Sequence, residues 1–175
     1  LCSYVMFYAF KASGFWIEER ESNLLDGAAH FYDTYECADQ KFLAVGSIEP
    51  QFYSVLLDKL EISDIKFQDQ HNKKLWPELK SIIRKKIKEK TRDEWADIFD
   101  GSDACVAPVL SLSEAPEHHH MKARNSFVEV DGVMQPAPAP RFSDTAPSIK
   151  HSSVKAGENN DEICAKFDLD RSCFS

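Results

Sequence analysis

Apolar positions recur along the chain in two main rhythms, and each predicts a different kind of element. From Phe31 to Glu36 aromatics mix with Asp and Thr, and Lys41 to Val45 is largely apolar. With the polar Ala38-Asp39-Gln40 between them, the two runs read as a half-buried hairpin. Phe52, Tyr53, Leu56, Leu57 and Leu60 recur at helical spacing, which predicts an amphipathic helix over Pro50–Leu60. Pro50 suits its first position, where the missing N–H has no partner anyway. Leu79, Ile82, Ile83 and Ile87 mark one face of a further helix from Trp76 to Lys90, after a polar loop over Asp64–Lys74. Thr91-Arg92-Asp93-Glu94 is a capping box. It opens a short helix that buries Trp95, Ile98 and Phe99 and ends at Gly101.

The pattern is sparser toward the two ends. Tyr4 to Trp16 is apolar and aromatic, broken by Lys11 and Ser13, and fits a helix made to pack on a larger body, ending near Gly14. A polar connector, Ile17–Ser22, follows. Ala104–Leu110 is an apolar strand interrupted by Pro108, hence an edge or a bulge. Ser113 is placed to cap a short helical turn ahead of His118-His119-His120. Asp131-Gly132, between Ser126–Val130 and Val133-Met134, is the strongest hairpin signal in the chain. Pro136–Pro140 should run extended along the surface, and Asn160–Phe167 suits a short helix in an otherwise polar tail. The fold class is therefore α+β, a short antiparallel sheet with helices packed on it and the first helix standing apart.

Composition narrows the function classes. With 175 residues, 43% hydrophobic and 29% charged, the chain reads as a soluble globular protein with enough length to bury a core. A net charge of −8 argues against non-specific nucleic-acid binding, so the basic run Arg84–Lys90 reads as a solvated helix face. Five cysteines (Cys2, Cys37, Cys105, Cys164 and Cys173) without C-x-x-C spacing read as reduced thiols of an intracellular protein. Three consecutive histidines do not point at a common centre, so no metal is expected. No glycine-rich phosphate loop, G-x-S-x-G elbow or Cys/His nucleophile pair stands out, and no cofactor is implied. Leu1–Phe10 is too short an apolar run to span a bilayer. It also lacks a secretory leader, and the last residues are not of the Ser-Lys-Leu type. Opening on Leu1 rather than Met, the chain is expected to be a piece of something longer.

Glu49 stands at the mouth of the Pro50 helix, where unpaired N–H groups and the dipole favour an ionised carboxylate. The residues around it carry a resemblance. Asn23-Leu24-Leu25-Asp26-Gly27-Ala28-Ala29, then His30-Phe31-Tyr32-Asp33-Thr34-Tyr35, then Ala44-Val45-Gly46-Ser47-Ile48-Glu49-Pro50-Gln51-Phe52 is similar to the small-domain signature of the α-methylacyl-CoA racemase family, a branch of the racemases and class III CoA-transferases. The likeness continues through Trp76-Pro77-Glu78-Leu79, Glu94-Trp95, Phe99–Val106, Pro108-Val109-Leu110 and Pro138–Phe142. Two positions depart from it: Glu21 and Ala28 stand where glycine is usual, which puts the tightness of that turn in question.

The resemblance implies the small domain of the class III CoA-transferase fold over residues 23–145, a remnant helix and linker from the large domain over 1–22, and a tail over 146–175. It implies interconversion of 2-methylacyl-CoA thioesters by removal and return of the α-proton through an enolate, with the acyl-CoA as substrate. In the family a His and an Asp of the large domain transfer the protons, and the Glu of Ile-Glu-Pro-Gln-Phe pairs with that His, often from the partner subunit. Here that residue is Glu49, and Tyr32 matches a position lining the same pocket. None of the six histidines (His30, His71, His118, His119, His120, His151) inherits the catalytic role. The chain alone is thus expected to be inactive and the intact protein an interlocked homodimer, mitochondrial or peroxisomal by the family's habit. A fragment of a CoA-transferase, or a non-catalytic dimerisation module, remain as alternatives. Read without the resemblance, Tyr32 and Tyr35 are hairpin or core aromatics and Asp26 is a turn residue.

Overall fold

The computed structural model describes residues 4–174. Cys2 lies outside the described residues, as does the side chain of Cys173. Two compact units emerge, the first ending at Val109 and the second beginning at Leu110.

The first unit is built on the predicted hairpin. Strand β1 (Tyr32–Glu36) pairs antiparallel with β2 (Phe42–Gly46), Tyr32 opposite Gly46 and Tyr35 opposite Leu43. A third strand, β3 (Val106–Pro108), pairs antiparallel with β2 and forms an edge of the sheet. The run around Pro108 is only three residues of strand, shorter than its apolar pattern, because proline cannot donate to the ladder. Residues of the sheet alternate in burial. Tyr35, Leu43 and Val45 are buried, whereas Thr34 and Ala107 are exposed.

Helices cover the buried face. The helix α2 (Pro50–Lys59) begins at the predicted proline and buries Tyr53 and Leu56. The next, α3 (Trp76–Ile87), buries Trp76, Leu79, Ile83 and Ile87 at helical spacing. It stops three residues before Lys90. The following helix, α4 (Arg92–Phe99), carries the complete capping box: Thr91 Oγ1 accepts from the Glu94 N–H, and the Glu94 side chain accepts from the Thr91 N–H. Two bonds tie its start to the hairpin turn, where Ala38 N–H donates to Lys90 O at 2.9 Å and Asp39 accepts from the Arg92 N–H at 3.2 Å. Phe31, Leu43, Leu56, Leu60, Leu79, Ile83, Ile87 and Trp95 form one core. Each such burial is worth about 1.5–3 kcal/mol.

Helix α1 (Val5–Ala12) is different. It ends before Gly14 and has no buried residue. The polar stretch after α2 is not all loop, because Asp64 accepts from the Lys66 N–H and starts a 3-10 turn over Ile65–Gln68.

In the connector, Glu21 adopts φ 54° without the help of glycine, while Ala28 needs no left-handed conformation. Asn23 closes this stretch, donating to Ile17 O and accepting from the Ile17 N–H, both at 2.9 Å. Asp26 accepts from Ser22, from Asn23 and from Ala28. Partial burial pushes its carboxyl up, but the bonds from Asn23, Ser22 and Ala28 outweigh this and hold it below the usual range.

The second unit holds the predicted hairpin, β4 (Phe127–Val130) with β5 (Val133–Pro136). Asp131 and Gly132 both take positive φ, 50° and 78°, as a tight two-residue turn requires. Ahead of it, Ser113 does not cap the helical turn. Glu114 stands at the N-cap of a 3-10 turn over Ala115–Glu117, and a short helix α5 (His119–Ala123) takes in two of the three histidines. Helix α6 (Asn160–Phe167) has the predicted bounds. Among the described residues no helix is long and apolar enough to cross a membrane.

Candidate functional site

The passage from β2 into α2 is held by hydrogen bonds from distant parts of the first unit. Gly46 N–H donates to Cys105 O at 2.9 Å, and Ser47 N–H to Phe31 O at 3.0 Å. The buried Ser47 hydroxyl donates to Ala104 O at 2.5 Å. Gln70, also buried, donates its side-chain amide to Ser47 O at 3.1 Å and to Ile48 O at 3.0 Å. Three residues, Gly46, Ser47 and Ile48, are therefore held from three directions, by Phe31, by Ala104 and Cys105 just ahead of β3, and by the loop before α3.

This turn delivers Glu49. Its backbone is extended (φ −74°, ψ 141°) and it occupies the N-cap of α2, with Pro50 next. The Tyr53 N–H donates to its carbonyl at 2.9 Å, the first bond of the helix. Its side chain does not cap the helix, and the residue is exposed. The expected carboxylate at a helix mouth is thus present, but it is not used up by the helix. A carboxylate left uncapped on a rigid turn is available to a partner group.

Tyr32 lies across from Gly46 on the outer face of the sheet and is half-buried. A methyl group on Gly46 would rest 3.8 Å from the Tyr32 ring and 3.7 Å from Cys105 O, both ordinary contacts, so the Tyr32 ring packs over this position without requiring glycine there. Tyr32, Gly46, Cys105, Thr34, Ala44 and Gly27 line a cleft of about 450 Å³. Glu49 is not part of that lining. It is nevertheless close enough to act on Cys105: burial, then the carboxylates of Glu49 and Asp103, push the Cys105 thiol above its ordinary value. Cys105 is exposed and sits at φ 54°, which turns its carbonyl onto Gly46.

Tyr35, a hairpin or core aromatic in the reading without the resemblance, is a core residue and does not reach the surface. It is 1% exposed and donates its hydroxyl to His30 O at 2.6 Å. Burial drives its phenol far above the usual range, as it also does for Tyr53. His30 is fully buried, 2.7 Å from the Tyr53 hydroxyl through Nε2. Burial, helped by nearby His71, lowers its pKa to about 4. It is a neutral core histidine with no route to a substrate. His118 and His119 stack at 4.4 Å. Among the described residues no three His, Cys, Asp or Glu side chains gather where they could hold a metal ion.

Sequence reasoning missed Gln70, Ser47, Asn23 and Lys80. The last joins the sheet to the connector, pairing with Asp33 at 2.6 Å and donating to Gly27 O. None of the four carries a periodic signal, because each acts by a side-chain bond to backbone or carboxylate, distant in sequence for Gln70, Ser47 and Lys80 and within six residues for Asn23.

The family model described as CoA-transferase family III matches residues 2–160. Alpha-methylacyl-CoA racemase of Mus musculus is 43% identical over 158 residues, covering 88% of this chain and 41% of the mouse protein. The Homo sapiens enzyme of the same name is 42% identical over 159 residues, again 41% of its length. A CaiB/baiF CoA-transferase family protein of Caenorhabditis elegans is 36% identical over 118 residues, 67% of this chain and 33% of that protein. The chain thus spans about two fifths of the length of the mammalian relatives. Among solved structures, a CAIB/BAIF family protein from Brucella suis superposes with a TM-score of 0.62 at 20% identity, covering 91% of this chain and 43% of that one. At that identity the likeness speaks for the fold.

Proposed function

The chain belongs to CoA-transferase family III, and on that footing we propose that the protein it is part of is a racemase of 2-methylacyl-CoA thioesters. Inversion at the carbon beside a thioester carbonyl requires a base on one face, an acid on the other and donors for the enolate oxygen between them. Glu49 is the contribution of this chain. Set beside an imidazole, its carboxylate would stabilise the imidazolium, raise its pKa and orient the ring, so that the histidine can both take and return a proton. The imidazole and the opposing Asp would come from the large domain implied by the resemblance, with residues 1–22 as the connection to it. Tyr32 would line the acyl-CoA site on the cleft side of the same turn. The reading draws its support from one observation above the rest: an exposed, uncapped glutamate on a turn held by long-range hydrogen bonds, in a chain 42% identical to a protein named alpha-methylacyl-CoA racemase.

Transfer of CoA between acids is the second reading, favoured by the likeness to CaiB/baiF-type proteins. The two differ in what they need from the rest of the protein: a proton-transfer pair for racemisation, a carboxylate nucleophile for transfer. Incubation of the intact protein with a single epimer of a 2-methylacyl-CoA in deuterated water decides between them. Racemisation predicts deuterium at the α-carbon without any acceptor acid. CoA transfer predicts no deuterium at the α-carbon, and a new thioester only when a free acid is added. This chain by itself should do neither, and deuterium incorporation by the chain alone would refute that part of the proposal.

A further inference from the structure

Two features fix the direction of Glu49, and only one of them is visible in its own neighbourhood. On the C-terminal side Pro50 confines the preceding residue to extended backbone, and the observed ψ of 141° lies in that range. Nothing about a proline fixes the peptide on the other side. There the two successive carbonyls of Ser47 and Ile48 both accept from one amide group, Nε2 of Gln70, at 3.1 and 3.0 Å. The second of these carbonyls belongs to the peptide bond that joins Ile48 to Glu49. Holding both restrains the plane of that peptide, and with ψ already confined, the direction of the Glu49 Cα–Cβ bond follows.

Gln70 is itself built in. It is 6% exposed, and its own carbonyl accepts from the indole N–H of Trp76 at 2.8 Å, with Trp76 4% exposed at the head of α3. A buried amide costs free energy unless it is bonded, and here both N–H groups are bonded to the turn that carries the carboxylate. We infer that Gln70 is a positioning residue for Glu49, acting on the proposed reaction by holding the Ile48–Glu49 peptide. The inference rests on the reading of Glu49 as the partner of a catalytic imidazole.

The test is a double-mutant cycle in the intact protein, with kcat and KM for α-proton exchange on a 2-methylacyl-CoA. Gln70→Met keeps the bulk and removes the donor, and Trp76→Phe loosens Gln70 more gently by removing the indole N–H. A misplaced catalytic group loses up to about a hundredfold in rate, so Gln70→Met should lower kcat roughly tenfold while KM stays within about twofold. Trp76→Phe should give a smaller loss in the same direction. In a Glu49→Gln background, Gln70→Met should cost nothing further, because the group it positions is gone. An equal loss in both backgrounds, or no loss in kcat, overturns the inference and leaves Gln70 a structural residue. A fully active Glu49→Gln would instead overturn the reading of Glu49 itself. Amide exchange in the chain gives a measure independent of activity. Gln70→Met, or Gln70→Glu should the first not fold, must accelerate exchange over residues 46–53 while leaving α4 protected. Unchanged protection of 46–53 also overturns the inference.

Discussion

Two helices of the first unit carry aromatic and aliphatic side chains, α1 more densely than α2, yet of the two only α2 buries any of them. In α2, Tyr53 is 5% exposed and Leu56 fully buried, and the Tyr53 hydroxyl meets His30. In α1, Val5 is 70% and Tyr8 68% exposed. Its rings meet one another locally instead, Tyr4 tilted against Phe7 and Phe7 edge-on to Trp16. The contrast teaches that apolar content does not assign a role to a helix. The closed side of the unit fixes a carboxylate, and the open side offers an apolar surface of the kind that normally marks an interface.

Truncation of a buried ring should show the contrast most strongly. Phe31 is fully buried and packs edge-on to His30, Tyr53, His71 and Trp76. Phe31→Ala should cost about 3–5 kcal/mol in urea unfolding, against less than about 0.5 kcal/mol for Tyr8→Ala on α1. Comparable losses at the two sites would erase the distinction.

Next in size is the effect of pH on the closed side. His30 in the unfolded chain binds its proton near pH 6.5, and in the folded core only near 4. Between those values the unfolded state holds more protons, so stability rises with pH across the window and falls on acidification. At 1.36 kcal/mol per unit, the loss from pH 7 to pH 4 is on the order of 3 kcal/mol, with nothing further from this group below pH 4. In His30→Gln that slope should flatten. An unaltered slope would mean that His30 already carries a proton in the fold.

The open side predicts association rather than stability. The chain should self-associate in sedimentation velocity at micromolar concentration, and serine at Tyr4, Tyr8 and Phe15 should release it to monomer. A stable, soluble monomer of the unsubstituted chain would contradict the interface reading of α1. The smallest expected effect concerns Cys105. Removing the charge in Glu49→Gln takes away the second of the causes that raise its thiol. Alkylation at mildly alkaline pH should then quicken, by less than about threefold, as more thiolate forms. An unchanged rate would place Glu49 too far from the cleft to act on it.

What was legible in the sequence was local. The Tyr32–Gly46 hairpin, the proline-started α2, the Thr91 capping box and the Asp131-Gly132 turn each depend on residues within a few positions of one another. The shortfalls arise where distant groups decide. Ser47 bonds to Ala104 across 57 residues and Gln70 to Ser47 across 23, and neither leaves a trace in periodicity. Glu21 shows the limit of a local rule. It accepts a left-handed backbone costing about 1–2 kcal/mol, in a stretch tied together by Asn23 and Asp26. Of the candidate site, Glu49 and Tyr32 came from the resemblance to a family. The turn that holds Glu49 came only with the structure.

Whether Glu49 serves chemistry or only the start of a helix is decided by solvent deuterium incorporation at the α-carbon of a 2-methylacyl-CoA, measured for the intact protein and for its Glu49→Gln variant. A catalytic role makes the variant slower by roughly 10²–10⁴-fold, the range of general acid–base groups, with substrate binding changed much less. Equal rates would contradict it and return Glu49 to the role of an ordinary N-cap residue.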